Sequence, residues 1–158
     1  MSISYDKRRL CELQAKVFEL SLLYSEDGSA VFIRRFMRSD LARRLDTTGS
    51  LLELSDAAQM VKEVDVEFGG NPYGSEKYSA NELHWMGYIY RYWCSMTGTA
   101  SKAVYKLAPA RELRSLYPSY HSLDPEQAVE RICEAKGIPL SEEEEIRRGV
   151  EHLRILRV

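Results

Sequence analysis

Residues 79–98, SANELHWMGYIYRYWCSMTG, constrain this chain more than any other stretch. Ser79 followed three residues later by Glu82 fits a capping box, in which the serine oxygen and the glutamate satisfy orphan amides reciprocally. Gly98 supplies the left-handed residue on which helices commonly end. Between them, at about 100° per residue, Leu83, Met86, Tyr90, Trp93 and Cys94 fall on one face. Trp85, Ile89, Tyr92 and Met96 fall on another. His84, Arg91 and Ser95 leave only a narrow polar strip, with Tyr88 at its edge. A helix apolar around most of its circumference must be covered on two sides. Either the domain supplies both covers, or a partner supplies one, since Tyr, Trp and Arg are enriched among the anchors of protein interfaces.

The rest of the chain is long enough to supply at least the first cover. A chain of 158 residues buries roughly 70% of its unfolded surface. Hydrophobic residues make up 44% and charged residues 29%, a globular rather than a disordered balance. The net charge of -2 and pI of about 6.0 argue against nucleic-acid binding by the whole surface, though not by a local basic patch. Cys11, Cys94 and Cys133 are odd in number and form no CxxC pair, which suits a reducing compartment. No apolar run approaches the ~20 residues of a membrane span, and the charged opening MSISYDKRRLCEL is unlike a secretory leader. A cytoplasmic protein is expected.

Helical signals recur along the chain. Ser4 precedes a stripe of Leu10, Leu13, Val17, Leu20 and Leu23. Phe32, Ile33, Phe36 and Met37 form the next apolar face, and Ser39–Asp40 either ends it or caps a further short helix through Leu45. Ser55 is read as the cap of a segment with Ala57, Met60, Val61, Val64 and Phe68 at helical spacing. Residues 69–79, GGNPYGSEKYS, read as an exposed loop. After Gly98, short helices are expected over Ala100–Leu107 and Ala110–Leu116. Asp124–Pro125 is a strong helix start, closing at Gly137. Ser141 caps Glu142–Glu145 at the head of a C-terminal helix over about residues 141–157. LLEL at 51–54 is too short to carry a sheet. The fold expected is all-α: one irregular helical domain over residues 1–158, with about six to eight helices.

Three constellations could carry function. Arg34, Arg35, Arg38, Arg43 and Arg44 put five arginines within eleven positions. Their forks suit carboxylates or phosphates, although the acidic stretch Glu53–Glu67 could neutralise them. Cys94, Gly98, Val104 and Leu107 match the spacing of a helix-turn-helix corner. Such a corner would expose Ser101, Lys102, Tyr105 and Lys106 to DNA; the plain alternative is an ordinary helical turn. Arg147 and His152 have the R-x4-H spacing of some helical ribonucleases, a common coincidence on helix surfaces. His84, His121 and His152 stand in no metal-binding spacing, and no nucleophile elbow or phosphate-cradling glycine loop occurs. No catalytic residue, metal or cofactor is expected.

LHWMGYIYRYW (residues 83–93) and LYPSYHSLDPEQAVERI (residues 116–132) resemble blocks in small bacterial proteins associated with toxin–antitoxin-like gene pairs, often beside an ADP-ribosyltransferase-type toxin. FIRRFMRSDLARRLD (residues 32–46) fits the same pattern, and the resemblance spans roughly residues 30–135. It implies a neutralising or accessory protein rather than an enzyme, whose partner is a neighbouring gene product. The expectation is therefore a protein-binding antitoxin, using Trp85, Tyr88 and Tyr92 with Arg34, Arg35 and Arg38. A helix-turn-helix regulator is the first alternative and a ribonuclease the second.

Overall fold

The computed structural model describes residues 3–47 and 56–140, which contain nine α-helices and no strand. They are α1 (Tyr5–Tyr24), α2 (Ser29–Met37), α3 (Asp40–Thr47), α4 (Ala57–Glu67), α5 (Ala80–Thr97), α6 (Ser101–Leu107), α7 (Ala110–Ser115), α8 (Tyr117–Tyr120) and α9 (Pro125–Lys136). The all-helical expectation holds, with slightly more and shorter pieces than anticipated. No helix among the described residues is long and apolar enough to cross a membrane. The expected C-terminal helix, LLEL and the Ser55 cap lie outside the described residues; Asp56 caps α4, accepting from the Ala58 amide at 2.9 Å.

The capping box of α5 is formed as the sequence dictates: Ser79 Oγ accepts from the Glu82 amide at 3.1 Å, and Glu82 Oε1 accepts from the Ser79 amide at 3.0 Å. Gly98 ends the helix at φ 68°. The helix runs through the middle of the domain. Its most extensive neighbour is α1, with α9, α6, α7 and α8 on its other sides. Leu83, Met86, Tyr90 and Trp93 are essentially inaccessible.

The α1–α5 crossing is close because Gly87 has no side chain. A Cβ there would stand 2.8 Å from the Gln14 carbonyl oxygen, 2.9 Å from Ala15 Cα and 2.9 Å from the Phe18 ring. That approach selects which face of α1 is buried. Leu10, Cys11, Gln14, Ala15, Val17 and Phe18 turn inward, while Leu23 is exposed and Leu13 and Leu20 are half-buried. The leucine stripe read from the sequence is thus rotated toward the small residues that let α1 sit on Gly87.

Residues 69–77 are exposed as expected, but Tyr78 is buried in the core, and the segment is tied to the α1–α2 turn. The Gly28 amide donates to Tyr73 O at 2.9 Å, and the Ser29 amide to Glu76 O at 2.8 Å. The buried Asp27 carboxylate accepts from the Tyr73 amide at 2.9 Å and from Arg35 at 3.1 Å.

Gly87→Ala gains about 1 kcal/mol of helix propensity. Forcing a methyl into a filled crossing costs about 1–3 kcal/mol, and here the obstacle is backbone. A net loss of stability, read as a lower urea midpoint, is the expected outcome; an unchanged midpoint would show that the crossing can relax.

Candidate protein-binding groove

Arg91 is expected on the polar strip of α5, but it is 1% exposed. Burying a guanidinium is costly unless its charge is paired and its donors are satisfied. Three elements meet that demand. Nε donates to Gln14 Oε1 of α1 at 2.8 Å, Nη1 to Asp46 Oδ1 of α3 at 2.6 Å, and Nη2 to Ser101 Oγ of α6 at 2.7 Å. Gln14 Nε2 donates in turn to the Gly87 carbonyl at 3.0 Å. Asp46 also accepts from the Ser101 amide at 3.0 Å and from its hydroxyl at 2.6 Å. One carboxylate thereby pairs the buried cation and caps α6. Sequence reading missed Gln14, Asp46 and Arg91 as a set. Gln14 and Arg91 were visible as polar residues in apolar helical contexts and Asp46 was not, and nothing linked residues so far apart in the chain.

This network alters the DNA-binding reading. Ser101 is buried in the network rather than exposed, and Tyr105 is half-buried against the Tyr90 ring at a centroid distance of 6.3 Å. Only Lys102 and Lys106 face solvent. Arg38, Arg43 and Lys102 line one shallow groove, but Asp40, Asp46 and Glu67 line it too. A lining of mixed sign gives no net positive face to draw the phosphate backbone that a recognition helix must approach.

The arginine cluster divides similarly. Arg35 is tied down by Asp27 and the Asn71 carbonyl. Arg43 pairs with Asp40, and Arg44 with Asp40 and Glu63. Arg34 and Arg38 are exposed. Of the expected anchors, Arg35 is therefore committed internally, and Tyr92, at 6% exposure, is part of the core.

Trp85 and Tyr88 are placed differently. They line a groove of about 360 Å³ with Ile89, Tyr117, His121, Leu123 and Pro125; Asn81 and His84 also border it. Local sequence explains the far wall. Pro118 sits at the second position of α8, where its missing N–H costs nothing. Asp124 accepts from the Glu126 amide at 3.0 Å and starts α9 at Pro125. The two helix starts fold residues 117–125 back along α5. Trp85 meets Tyr117 edge-on at 5.7 Å, Tyr117 stacks with His121 at 4.5 Å, and Tyr88 stacks with Tyr92 at 6.2 Å. His121 Nδ1 lies 2.8 Å from the Tyr117 carbonyl, and His84 Nδ1 lies 3.4 Å from Glu19. Burial pushes the Tyr88 phenol up to about 12, so it stays a neutral hydroxyl able to donate a hydrogen bond. Trp85, Tyr88 and Tyr117 are half-buried: held in place, yet open to solvent on one side.

Nucleophile chemistry has little to work with among the described residues. The three cysteines are free and buried, and burial pushes the Cys11 thiol up to about 12. Arg114 is engaged by Glu82 at 2.9 Å and lies over the Tyr78 ring, while His121 is held by Tyr117. Arg147 and His152 lie outside the described residues. No group of three or more His, Cys, Asp or Glu that could hold a metal occurs among the described residues. The described residues form an all-helical fold with a half-buried aromatic groove. Comparison with protein-family models, curated proteins and solved structures returns no match.

Asp46→Ala strands Arg91 as an unpaired buried cation and is expected to destabilise by about 3–5 kcal/mol. The double change Arg91→Met with Asp46→Leu removes both charges and should lose less than Asp46→Ala alone. Urea denaturation of the three proteins checks this; equal losses in the single and double variants would mean that the pair is not coupled.

Proposed function

We propose that the chain is a protein-binding module that neutralises a partner toxin encoded beside it, and that it grips that partner through the α5/α8/α9 groove. The observation that carries this reading is the open side of α5. The central helix is apolar on two sides, and the described residues cover one completely and the other only in part. What remains is a row of rigid aromatic rings already fixed in place, the composition and preorganisation of an interface anchor. The resemblance of residues 83–93 and 116–132 to proteins of toxin–antitoxin-like gene pairs falls on the two walls of this groove, α5 and α8–α9. It supports the antitoxin role and an ADP-ribosyltransferase-type toxin as the first partner to try. Trp85 and Tyr88 remain the proposed anchors, joined by Tyr117 and His121; Arg34 and Arg38 are secondary contacts, and Tyr92 acts by backing Tyr88. Binding of this kind needs no cofactor. The regulator reading is weaker because Ser101 is buried and Asp46 guards the first turn of α6.

Calorimetry of the purified chain with the product of the adjacent gene tests this. A stoichiometric complex is expected, and truncating a central anchor, Trp85→Ala or Tyr88→Ala, should cost at least ~2 kcal/mol of affinity. Lys102→Ala and Lys106→Ala should change affinity by no more than about 0.5 kcal/mol. Nanomolar operator binding by the isolated protein, with a steep salt slope that the lysine changes flatten, would overturn the ranking in favour of the regulator.

A further inference from the structure

The groove offers a guest two things and withholds a third. It offers ring faces: Trp85, Tyr88 and Tyr117 stand half-buried along it, Trp85 against Tyr117 and Tyr88 against Tyr92. It offers unspent donors: among the described residues the Trp85 indole N–H and the Tyr88 and Tyr117 hydroxyls donate to no group. Burial keeps the Tyr88 phenol protonated, so that donor persists at any ordinary pH. What it withholds is charge: no Asp, Glu, Lys or Arg lines it. The guest that fits such a lining is uncharged, carries apolar rings or faces, and brings free acceptors, because a half-buried donor left without one is costly.

We propose that the groove seats a proline-rich segment of the partner protein in the polyproline II conformation, its rings laid on Trp85, Tyr88 and Tyr117 and its carbonyls accepting from the indole N–H and the hydroxyls. This rests on the partner-binding reading above and adds the chemistry of the contact. A polyproline II helix makes no internal hydrogen bonds, so its carbonyls are free, and proline brings no N–H that would need an acceptor. Its preset backbone also loses little freedom on docking. An α-helix has spent its carbonyls on its own amides and is about 10 Å across, too broad for a groove of about 360 Å³. A β-strand needs a sheet edge to pair with, and no strand occurs among the described residues. A charged side chain would find no opposite charge on the lining. Nor can a second copy of this chain supply the segment, since its five prolines, Pro72, Pro109, Pro118, Pro125 and Pro139, are all isolated from one another.

The test uses the whole protein and defined probes. The indole N–H resonances of Trp85 and Trp93 are followed by NMR, and Trp85→Phe assigns them. The protein is titrated with blocked hexaproline, with a blocked Gly/Ser peptide of the same length, and with an amphipathic helical peptide of leucine and lysine. The Gly/Ser peptide keeps the carbonyls but loses the rings and the stiffness. Hexaproline is expected to move the Trp85 signal to saturation and leave the buried Trp93 signal still, with the Gly/Ser peptide binding about tenfold more weakly. Tyr88→Phe keeps the ring and deletes the donor, and should weaken hexaproline about two- to tenfold, the net worth of one hydrogen bond. Because no charge takes part, raising the salt from about 0.05 to about 0.5 M should leave the dissociation constant within about twofold. Equal affinity for hexaproline and the Gly/Ser peptide, a Trp85 signal that hexaproline does not move, or unaltered binding in Tyr88→Phe overturns the proposal. So does tighter binding of the helical peptide, which would assign the groove to a partner helix. If the toxin complex is lost in Trp85→Ala while hexaproline fails to bind, the proline contact falls and the binding groove stands. If the complex survives Trp85→Ala, the groove reading itself falls.

Discussion

The fold depends on the crossing of α1 over Gly87 of α5. With no Cβ in the way, the two longest helices approach until the Gln14 backbone meets the α5 backbone. At that distance Gln14 can bridge them, donating to the Gly87 carbonyl and accepting from Arg91. Arg91 then fixes α3 through Asp46 and α6 through Ser101. Four helices distant in sequence are registered by one buried cation and the amide that supports it. A hydrophobic core alone tolerates many packings of similar energy; a buried charge that must find its partners rejects those that leave it unpaired.

This arrangement also fixes where the surface can be used. Because α1, α3 and α6 are committed to α5 through the Arg91 network, the remaining side of α5 is covered by short pieces, α8 and the start of α9. Among the described residues, those pieces leave Trp85 and Tyr88 half-buried. The groove follows from covering this part of the 18-residue, two-faced helix with only the four-residue α8 and the first residues of α9. Its rings are held by one another, Trp85 by Tyr117 and Tyr88 by Tyr92, so little side-chain freedom is left to lose on binding.

Much of the architecture was legible in the sequence because it is written locally. The capping box at Ser79–Glu82, the Gly98 and Gly137 stops and the Asp124–Pro125 start each involve residues a few positions apart, and each formed as read. The two-faced character of α5 was likewise legible, since helical periodicity is a local property. What failed was non-local. The face of α1 was legible in part: Leu10 and Val17 are buried as read, but Gln14, Ala15 and Phe18 were missed because Gly87, far along the chain, decides which residues can approach most closely. Arg91 looked like a solvent-facing arginine because Gln14, Asp46 and Ser101 lie on three other helices. Arg35 looked free because its partner Asp27 sits across a turn, and Ser101 looked exposed because its hydroxyl is claimed by that same network. Trp85 and Tyr88, expected as partner contacts, are half-buried along the groove, while Tyr117 and His121 were not singled out, since only the fold-back at Pro118 and Asp124 brings them opposite α5.

The central claim is that this domain meets its partner through the open side of α5. Amide hydrogen exchange on the chain alone and in its complex with the neighbouring gene product tests it most directly, because the readout covers every surface without a mutation. The account predicts slowed exchange concentrated in residues 81–89 and 117–126, with α6 unchanged. Slowed exchange confined to residues 34–38 and 101–107, with the groove unaltered, would contradict it.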